Sequence, residues 1–467
     1  MIFSVVYEKK KCFHTILQKT IRYTCILMII TQLFRSTSLK KIGLAELYKY
    51  KNLFFENHPL DLASEKNKRV DEKKQILVEK FESIDVETQI PDSMRAQFLY
   101  MKGRCYNASL AYDSRATQCL SQAVKLDPHL AAAWNELGEC YLKNRNVIEA
   151  KDSFEGALKH ERNRISLRCL SVILRNEARH QKRSETVPSI LKSVELAKEA
   201  VTQDFKDGLS WMILGNAYLC QFFTVEQDPA TLKLCMNAYK KAYLDPVAKG
   251  QPDLYYNKGV ALKYEECYSE ALEMFAHSCR LDPVWAPARE ERNDLSNYLA
   301  EATRLVRTRG KLKGKRLSNM IQAIDIKMLG IYSPGTFHTF GTRKNILLDH
   351  VRIDQLQEGD NHGKVILVNN HLLSLYLLFI NAAVYASMSC VCVTVYNWSS
   401  TRRGAIIGDT VAIPEPLLKN NVQDNELAKF DFKSIRVNNP QQLLINGKRV
   451  GRNQIASTCV TSTFEMK

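Results

Sequence analysis

The stretch Pro252–Trp285 reads PDLYYNKGVALKYEECYSEALEMFAHSCRLDPVW, and its spacing decides the fold of most of the chain. Two helical patterns face each other across a short polar turn. The first carries Tyr255, Gly259 and Leu262; the second carries Tyr268, Ala271, Phe275 and Leu281, then stops at Asp282-Pro283. Gly259 lets a second helix approach closely, Ala271 is the matching small residue, and Phe275 fills the gap beside it. Pro283 cannot continue a helix and so ends the unit.

This is the helix–turn–helix pattern of the tetratricopeptide (TPR) repeat, about 34 residues long. One such unit cannot bury its own apolar face, so neighbours are required. Ala131–Arg164 supplies Trp134, Leu137, Gly138, Tyr141, Ala150, Phe154 and Ala157; the segment from Gly208 supplies Trp211, Leu214, Gly215 and Tyr218. Gly138 and Gly215 are 215 − 138 = 77 positions apart, two periods of about 34 plus a short insertion. Gly215 and Gly259 are 259 − 215 = 44 apart, one period plus an insertion placed at QFFTVEQDPAT. An earlier unit closes on Asp127-Pro128, and a degenerate one has helices near Ile165–Arg179 and Val187–Asp204. The expected array has about five repeats.

The rest of the chain is arranged around it. Residues 1–40 combine lysines with a short apolar run, Cys25 to Leu33, and read as an atypical disordered extension; a mitochondrial presequence is the alternative. Residues 43–96 carry charged helical patterns that cap the first repeat. The array covers residues 97–285, and residues 286–306 form a capping helix with Leu295, Leu299, Ala302 and Leu305. A basic linker, 307–319, follows; six of the ten residues Arg307–Arg316 are Lys or Arg. Such a segment is either a solvated linker or a sequence-independent contact to RNA phosphates. Residues 320–467 lose helical periodicity. Asn345–Val351, Lys364–Val368, Gly404–Ile413, Phe430–Val437 and Leu443–Val450 read as strands of a small barrel or sandwich, the last as a hairpin turning at Asn446-Gly447. The uncharged run Leu372–Tyr396 is long enough to span a membrane but holds Ser374, Asn381, Ser387 and Ser389, and its end, Cys390–Tyr396, reads as a buried strand. The expected fold class is mainly α, a TPR superhelix followed by a small all-β domain.

Composition narrows the function classes. The net charge of +16 suits polyanionic partners such as RNA, or simply keeps the protein soluble. The 13 cysteines are scattered without CxxC or Cys/His ligand spacing, as expected for small buried thiols rather than a disulfide or zinc framework. There is no Walker loop, no GxSxG and no HExxH, and His338 and His371 have no partner in sequence. The expectation is a non-enzymatic protein with no cofactor, no metal and no small-molecule substrate.

The array, the basic linker and the motif Gly408-Asp409-Thr410-Val411-Ala412-Ile413-Pro414-Glu415-Pro416 together resemble the tetratricopeptide repeat protein 5 (Strap) family, from about Leu47 to Val450. Further matching pieces are Trp134-Asn135, Leu137-Gly138-Glu139, Ser210-Trp211, Tyr264-Glu265-Glu266, Tyr268 and Ile445-Asn446-Gly447-Lys448. The resemblance implies that the C-terminal domain is an OB-fold, in agreement with the short strands. Residues 1–40 and 369–393 depart from the family's pattern.

A TPR array presents a concave wall made by the first helix of each repeat. By repeat position Asp253, Asn216 and Asn135 face it, and Arg175 does so if Leu170-Ser171 stands where Leu-Gly stands elsewhere. Side-chain amides, a cation and an anion suit a short extended peptide bearing both charges. The resemblance implies the peptide: the nascent N-terminus of tubulins, Met-Arg-Glu, at the ribosome, with Lys313 and Lys315, flanked by Lys311 and Arg316, docking near the exit tunnel. It also implies mRNA-decay adaptor proteins as partners, tubulin message decay as the outcome, and a place in cytoplasm and nucleus. The alternative the resemblance carries is a nuclear stress-responsive coactivator scaffold bridging an acetyltransferase and tumour-suppressor transcription factors. Phe430, Phe432 and Trp398 would then be either stacking platforms for single-stranded nucleic acid or core.

Overall fold

The structure is a computed structural model that describes residues 41–454, apart from 59–60, 62, 309–314, 316–318, 320–324, 341–342, 376–379, 387–388, 399–404, 406–407, 426 and 452–453. The expected N-terminal extension, and Lys311, Lys313 and Arg316 of the linker, lie outside the described residues. The chain forms two compact units. One holds the chain up to Gln221 together with Lys233–Leu254; the other holds Phe222–Leu232 and the chain from Tyr255 on.

The first unit begins with α1 (residues 41–52), α2 (Phe54–Asn57), α3 (Ala63–Glu82) and α4 (Val86–Gln89). Hairpins follow: α5 (Asp92–Tyr106) with α6 (Ser114–Leu126), α7 (Ala131–Lys143) with α8 (Val147–His160), α9 (Arg164–Ala178) with α10 (Arg183–Gln203), and α11 (Gly208–Thr224) with α12 (Pro229–Ala242). Each hairpin is keyed at one spot. A Cβ on Gly138 would come within 2.7 Å of the Phe154 ring, and one on Gly215 within 2.5 Å of Tyr239. In the degenerate repeat Ser171 takes the glycine's place, fully buried, and its hydroxyl donates to the Ser193 carbonyl at 2.8 Å. Ser171 thus stands in the glycine's place, but Arg175, expected on the open wall in that phase, is buried.

The insertion shows in the key itself. Gly138 and Phe154 are 154 − 138 = 16 apart, whereas Gly215 and Tyr239 are 239 − 215 = 24 apart. Of QFFTVEQDPAT, residues 221–231, the first four continue α11 to Thr224, 225–228 form the turn, and the last three open α12. A further short helix, α13 (Pro246–Lys249), stands ahead of α14 (Pro252–Tyr264), with Asp245 capping its N-terminus through the Val247 N–H.

In the second unit α15 (Tyr268–Leu281) keys on Gly259 as expected, a Cβ there meeting Phe275 at 2.7 Å. The turn from α14 to α15 needs one left-handed residue, Glu266 at φ 58°, just as Arg145 takes φ 58° between α7 and α8. Helix α16 (Ala286–Arg307) covers the last hairpin with Leu295, Leu299 and Leu305, and Lys263 ties α14 to it through Glu291 at 2.7 Å.

The β region contains β1 (Phe337–Phe340) paired with β2 (Arg343–Leu347), then one curled sheet. Its order is β12 (Lys448–Arg449), β11 (Leu444–Ile445), β8 (Thr410–Pro414), β5 (Lys364–Leu375), β6 (Ile380–Ala386), β7 (Ser389–Val395), β10 (Lys429–Val437), β9 (Leu417–Asp424) and β4 (Gly359–Asp360), with β3 (Asp349–His350) beside β5. β7 and β10 run parallel, as does β3 with β5. Alternation assigns the faces. Ile366, Val368, Val391, Val393, Val395, Val411, Ile413, Ile435 and Val437 fill one core, and Val365, Leu367, Ala412 and Leu444 pack the other face with Leu329 and Tyr332. Asn446 (φ 49°) and Gly447 (φ 77°) form the expected two-residue turn of positive φ.

The expected strand Gly404–Ile413 corresponds to β8, which begins at Thr410, and the sequence reading misses β1, β4, β6 and β9. The described residues of 369–393 join the sheet: β6 lies antiparallel between β5 and β7. Among the described residues no helix is long and apolar enough to cross a membrane. Phe430, Phe432 and Trp398 are buried, so none is presented for base stacking.

Candidate functional site: a buried charge constellation on the repeats

The expected wall residues do come from first helices, but three of the four are buried. Arg175, in the last turn of α9, is 2% exposed. Its guanidinium donates to the Ser171 hydroxyl at 2.7 Å, and burial outweighs its neighbours in pushing its pKa down to about 10. Asn216 on α11 accepts from the Tyr239 hydroxyl at 2.9 Å. Asn135 on α7 donates to Asn163 at 3.0 Å and accepts from Ser166. The expectation of amides open to a peptide is thus corrected: Asn135 and Asn216 are closed into internal bonds that a ligand would first have to displace. Asp253, in the first turn of α14, is half-buried. Three of them, Arg175, Asn216 and Asp253, act on Tyr239, which sequence reasoning passed over because it reads only as the aromatic key of its repeat. Burial, and Cys235 next, raise its pKa well above the usual tyrosine value; Arg175 opposes that rise and Asp253 adds to it.

A second cluster lies where α1 meets the next first helices. Arg104 on α5 pairs with Glu136 on α7 at 2.9 Å, and Asn107 donates to Glu136 at 2.9 Å. The Tyr48 hydroxyl lies 3.1 Å from the Arg104 carbonyl and 3.4 Å from Glu136. Lys143 donates to the Asn107 carbonyl, the Asn107 side chain and the Ser109 carbonyl, and Lys51 to the Ala108 carbonyl at 2.8 Å. Burial, with Glu139 next, pushes Glu136 up to about 7. Burial, with Lys51 next, pushes Lys143 down to about 8.

Because the Glu136 pKa is raised in the folded state, the folded unit retains a proton between about 4.5 and 7 that the unfolded chain releases. This contribution to stability is fully present below about 4.5 and lost as pH rises through 7. Glu136→Gln, which stays neutral, is expected to match the native chain near pH 4.5 and to exceed it by about 3 kcal/mol at pH 7.5. Denaturant unfolding of the two chains across that range checks it; a difference independent of pH would show that the carboxyl is not shifted.

In the second unit Glu266 is the focus. Its carboxylate is fully buried, accepts from the Tyr396 hydroxyl at 2.9 Å, and lies 3.6 Å from Arg436 and 3.9 Å from Lys419. The Arg436 guanidinium stacks between Tyr264 and Tyr396, 4.8 and 3.9 Å from the ring centroids, and donates to the Tyr264 carbonyl. Lys419 donates to the Glu265 carbonyl at 2.5 Å. Tyr396, just past β7, with Lys419 of β9 and Arg436 of β10, thus satisfies the carbonyls at the end of α14. The one sequence signal for this was the left-handed turn position that Glu266 shares with Arg145.

Of the linker lysines, Lys315 is described and is exposed. The described cysteines are free thiols, with Cys140 and Cys392 pushed up to about 12 by burial. Among the described residues no group of three His, Cys, Asp or Glu side chains could hold a metal ion.

Stacked TPR hairpins followed by an OB-fold domain define a repeat protein of the adaptor type, whose work is to bind other proteins. A family model described as the tetratricopeptide repeat protein 5 OB fold domain matches residues 347–459. "Tetratricopeptide repeat protein 5" of Homo sapiens is 36% identical over 421 residues, 89% of this chain and 94% of that protein. The Bos taurus protein of the same name is 35% identical over 421 residues, with the same coverage. Among solved structures, YrrB, titled a TPR protein with an unusual peptide-binding site, is similar at 21% identity and a TM-score of 0.32, covering 46% of this chain and 99% of that one. The chain belongs to the tetratricopeptide repeat protein 5 family.

Proposed function

We propose that the protein is an adaptor that reads the nascent tubulin N-terminus, Met-Arg-Glu, as it leaves the ribosome, and so marks tubulin messages for decay by recruited mRNA-decay adaptor proteins in the cytoplasm. The observation that carries this reading is a cation, Arg175 on α9, and an anion, Asp253 on α14, both on first helices, whose charges both act on Tyr239. A cation and an anion held around one phenol suit a peptide with adjacent opposite charges: Asp253 pairs with the peptide arginine and Arg175 with the peptide glutamate. Arg175 is 2% exposed, so it has already lost its hydration on folding, and burial pushes its pKa down to about 10. An arriving carboxylate therefore gains more there than at a surface arginine.

The basic segment holding Lys311, Lys313, Lys315 and Arg316 supplies the second contact. Its lysines suit ribosomal RNA phosphate. Docking there raises the local concentration of the emerging peptide, so that a weak tripeptide site suffices. Co-sedimentation with ribosomes carrying stalled chains tests the reading. Chains beginning Met-Arg-Glu are expected to bring the protein down at least tenfold more efficiently than other chains, and Lys313→Glu/Lys315→Glu is expected to abolish recovery and its salt dependence together. Recovery indifferent to the nascent sequence would remove this reading and leave the coactivator scaffold as the account to pursue.

A further inference from the structure

We propose that a cavity at the bend between β8 and β9 binds a zwitterionic α-amino acid with a large apolar side chain, its carboxylate held by Arg343 and His362 and its ammonium by Asp360. The site lies wholly in the second unit and stands apart from the peptide reading.

The cavity arises where one stretch of chain changes partner. β8 pairs with β5 and β11, whereas β9 pairs with β10 and β4. Pro414-Glu415-Pro416 carries the chain from one set of neighbours to the other. The ends of β8 and β10 therefore lie beside one another with no ladder between them, and a cavity of about 320 Å³ opens there. Ile413, Val437 and Leu443, buried members of the barrel core, line it together with Phe340 of β1. This is the small end of the range of ligand pockets and suits a molecule on the order of ten non-hydrogen atoms.

The rim is charged and held stiff. Glu415 takes φ 45°, a left-handed conformation that a residue with a side chain adopts only at a cost. Its carboxylate, 9% exposed, accepts from both terminal nitrogens of Arg343, one of them at 3.0 Å, and from the Gly363 N–H at 3.2 Å. The Nδ1 atom of His362 lies 3.9 Å from the same carboxylate. Asn361, buried, donates to the carbonyls of Gln357, Gly359 and Pro416 at 2.8, 3.1 and 3.1 Å. Those bonds fix the positions on either side of it, Asp360 and His362, before any ligand arrives.

The charges decide the ligand. Two pairs along the cavity are already matched, Arg343 with Glu415 and Arg436 with Glu266. The Glu415 pair uses two of the five N–H groups of Arg343, whose side chain is exposed. The remaining donors, with the exposed His362 ring, suit a carboxylate. Asp360 is exposed, and no cation among the described residues pairs with it. A plain anion would meet repulsion from Asp360, and a plain cation would leave the Arg343 donors unused. An amino acid of leucine or phenylalanine size carries a carboxylate, an ammonium and an apolar body, one for each part of the lining.

Calorimetric titration of the full chain with small ligands tests this. L-Leucine and L-phenylalanine are expected to bind with a Kd of about 100 μM. L-Leucinamide, which lacks the carboxylate, and 4-methylpentanoate, which lacks the ammonium, are each expected to bind at least tenfold more weakly. Asp360→Asn, at an exposed position, is expected to reverse the preference: leucine weakens at least tenfold and 4-methylpentanoate tightens, since the repulsion is gone. Amide hydrogen exchange locates the site, with β1, β4 and the β8–β9 bend expected to exchange more slowly when leucine is bound. Wild type that binds neither amino acid up to about 10 mM overturns the proposal. So does equal binding of leucine and 4-methylpentanoate, an unchanged leucine affinity in Asp360→Asn, or protection that falls elsewhere in the chain. None of these results bears on the reading of nascent chains.

Discussion

Glu266→Ala is expected to destabilise the second unit by about 3–5 kcal/mol, the largest effect of any single polar substitution considered for that unit. The carboxylate has no solvent exposure, and its removal leaves Arg436, itself 7% exposed, as a buried cation without its anion. Tyr396 loses its acceptor at the same time. Alanine retains the left-handed strain at φ 58°, so the measured loss reports the carboxylate and not relief of the turn. Thermal and denaturant unfolding, with hydrogen exchange to localise the loss to α14–α16 and the sheet, would show it. Replacing both members, Glu266→Met with Arg436→Met, is expected to cost less than Glu266→Ala alone, because a buried pair is dear to break and cheap to remove whole. A loss below about 1 kcal/mol for Glu266→Ala would mean that the cluster is solvated in solution.

Arg175→Ala carries the second large effect: a fall of about 100-fold in affinity for a peptide beginning Met-Arg-Glu, as when one partner of a buried charge pair is truncated. The guanidinium is 2% exposed and donates to the Ser171 hydroxyl at 2.7 Å, where water offers little competing solvation. Arg175→Lys is expected to rescue little of the loss, since a point charge cannot hold the Ser171 hydroxyl and a carboxylate in the planar geometry a guanidinium provides. Tyr239→Phe is expected to be milder than Arg175→Ala: it strands the Asn216 acceptor but leaves both charges in place. Fluorescence anisotropy of a labelled peptide distinguishes these variants.

The repeats were legible because their key is local. A glycine and an aromatic at fixed spacing can be read without knowing where the chain goes next, and Gly138–Phe154 and Gly259–Phe275 meet as the pattern requires. The Asn446-Gly447 turn was legible for the same reason, since its φ values are demanded by residues i and i+1 alone. Strand β6 was not, because residues 372–396 are apolar enough for several environments, and only pairing with β5 and β7 selects one. At the candidate site, position along the repeat placed Arg175, Asn135, Asn216 and Asp253 on first helices correctly but carried no information about burial. That depends on Tyr239, Ser166 and Asn163, which approach from other elements. The Glu266 cluster escaped notice for a similar reason: Arg436 and Tyr396 lie more than a hundred residues away in sequence, and periodicity is blind to such pairs.

The central claim is that Arg175 meets the peptide glutamate, and calorimetric titration in a double-mutant cycle tests it most directly. Wild type and Arg175→Ala would each be titrated with a peptide beginning Met-Arg-Glu and with its Met-Arg-Gln counterpart. The account predicts that either change alone costs most of the affinity and that the two together cost little more than one, a coupling of about 2 kcal/mol. Losses that simply add, or a wild type that binds both peptides equally, would contradict it.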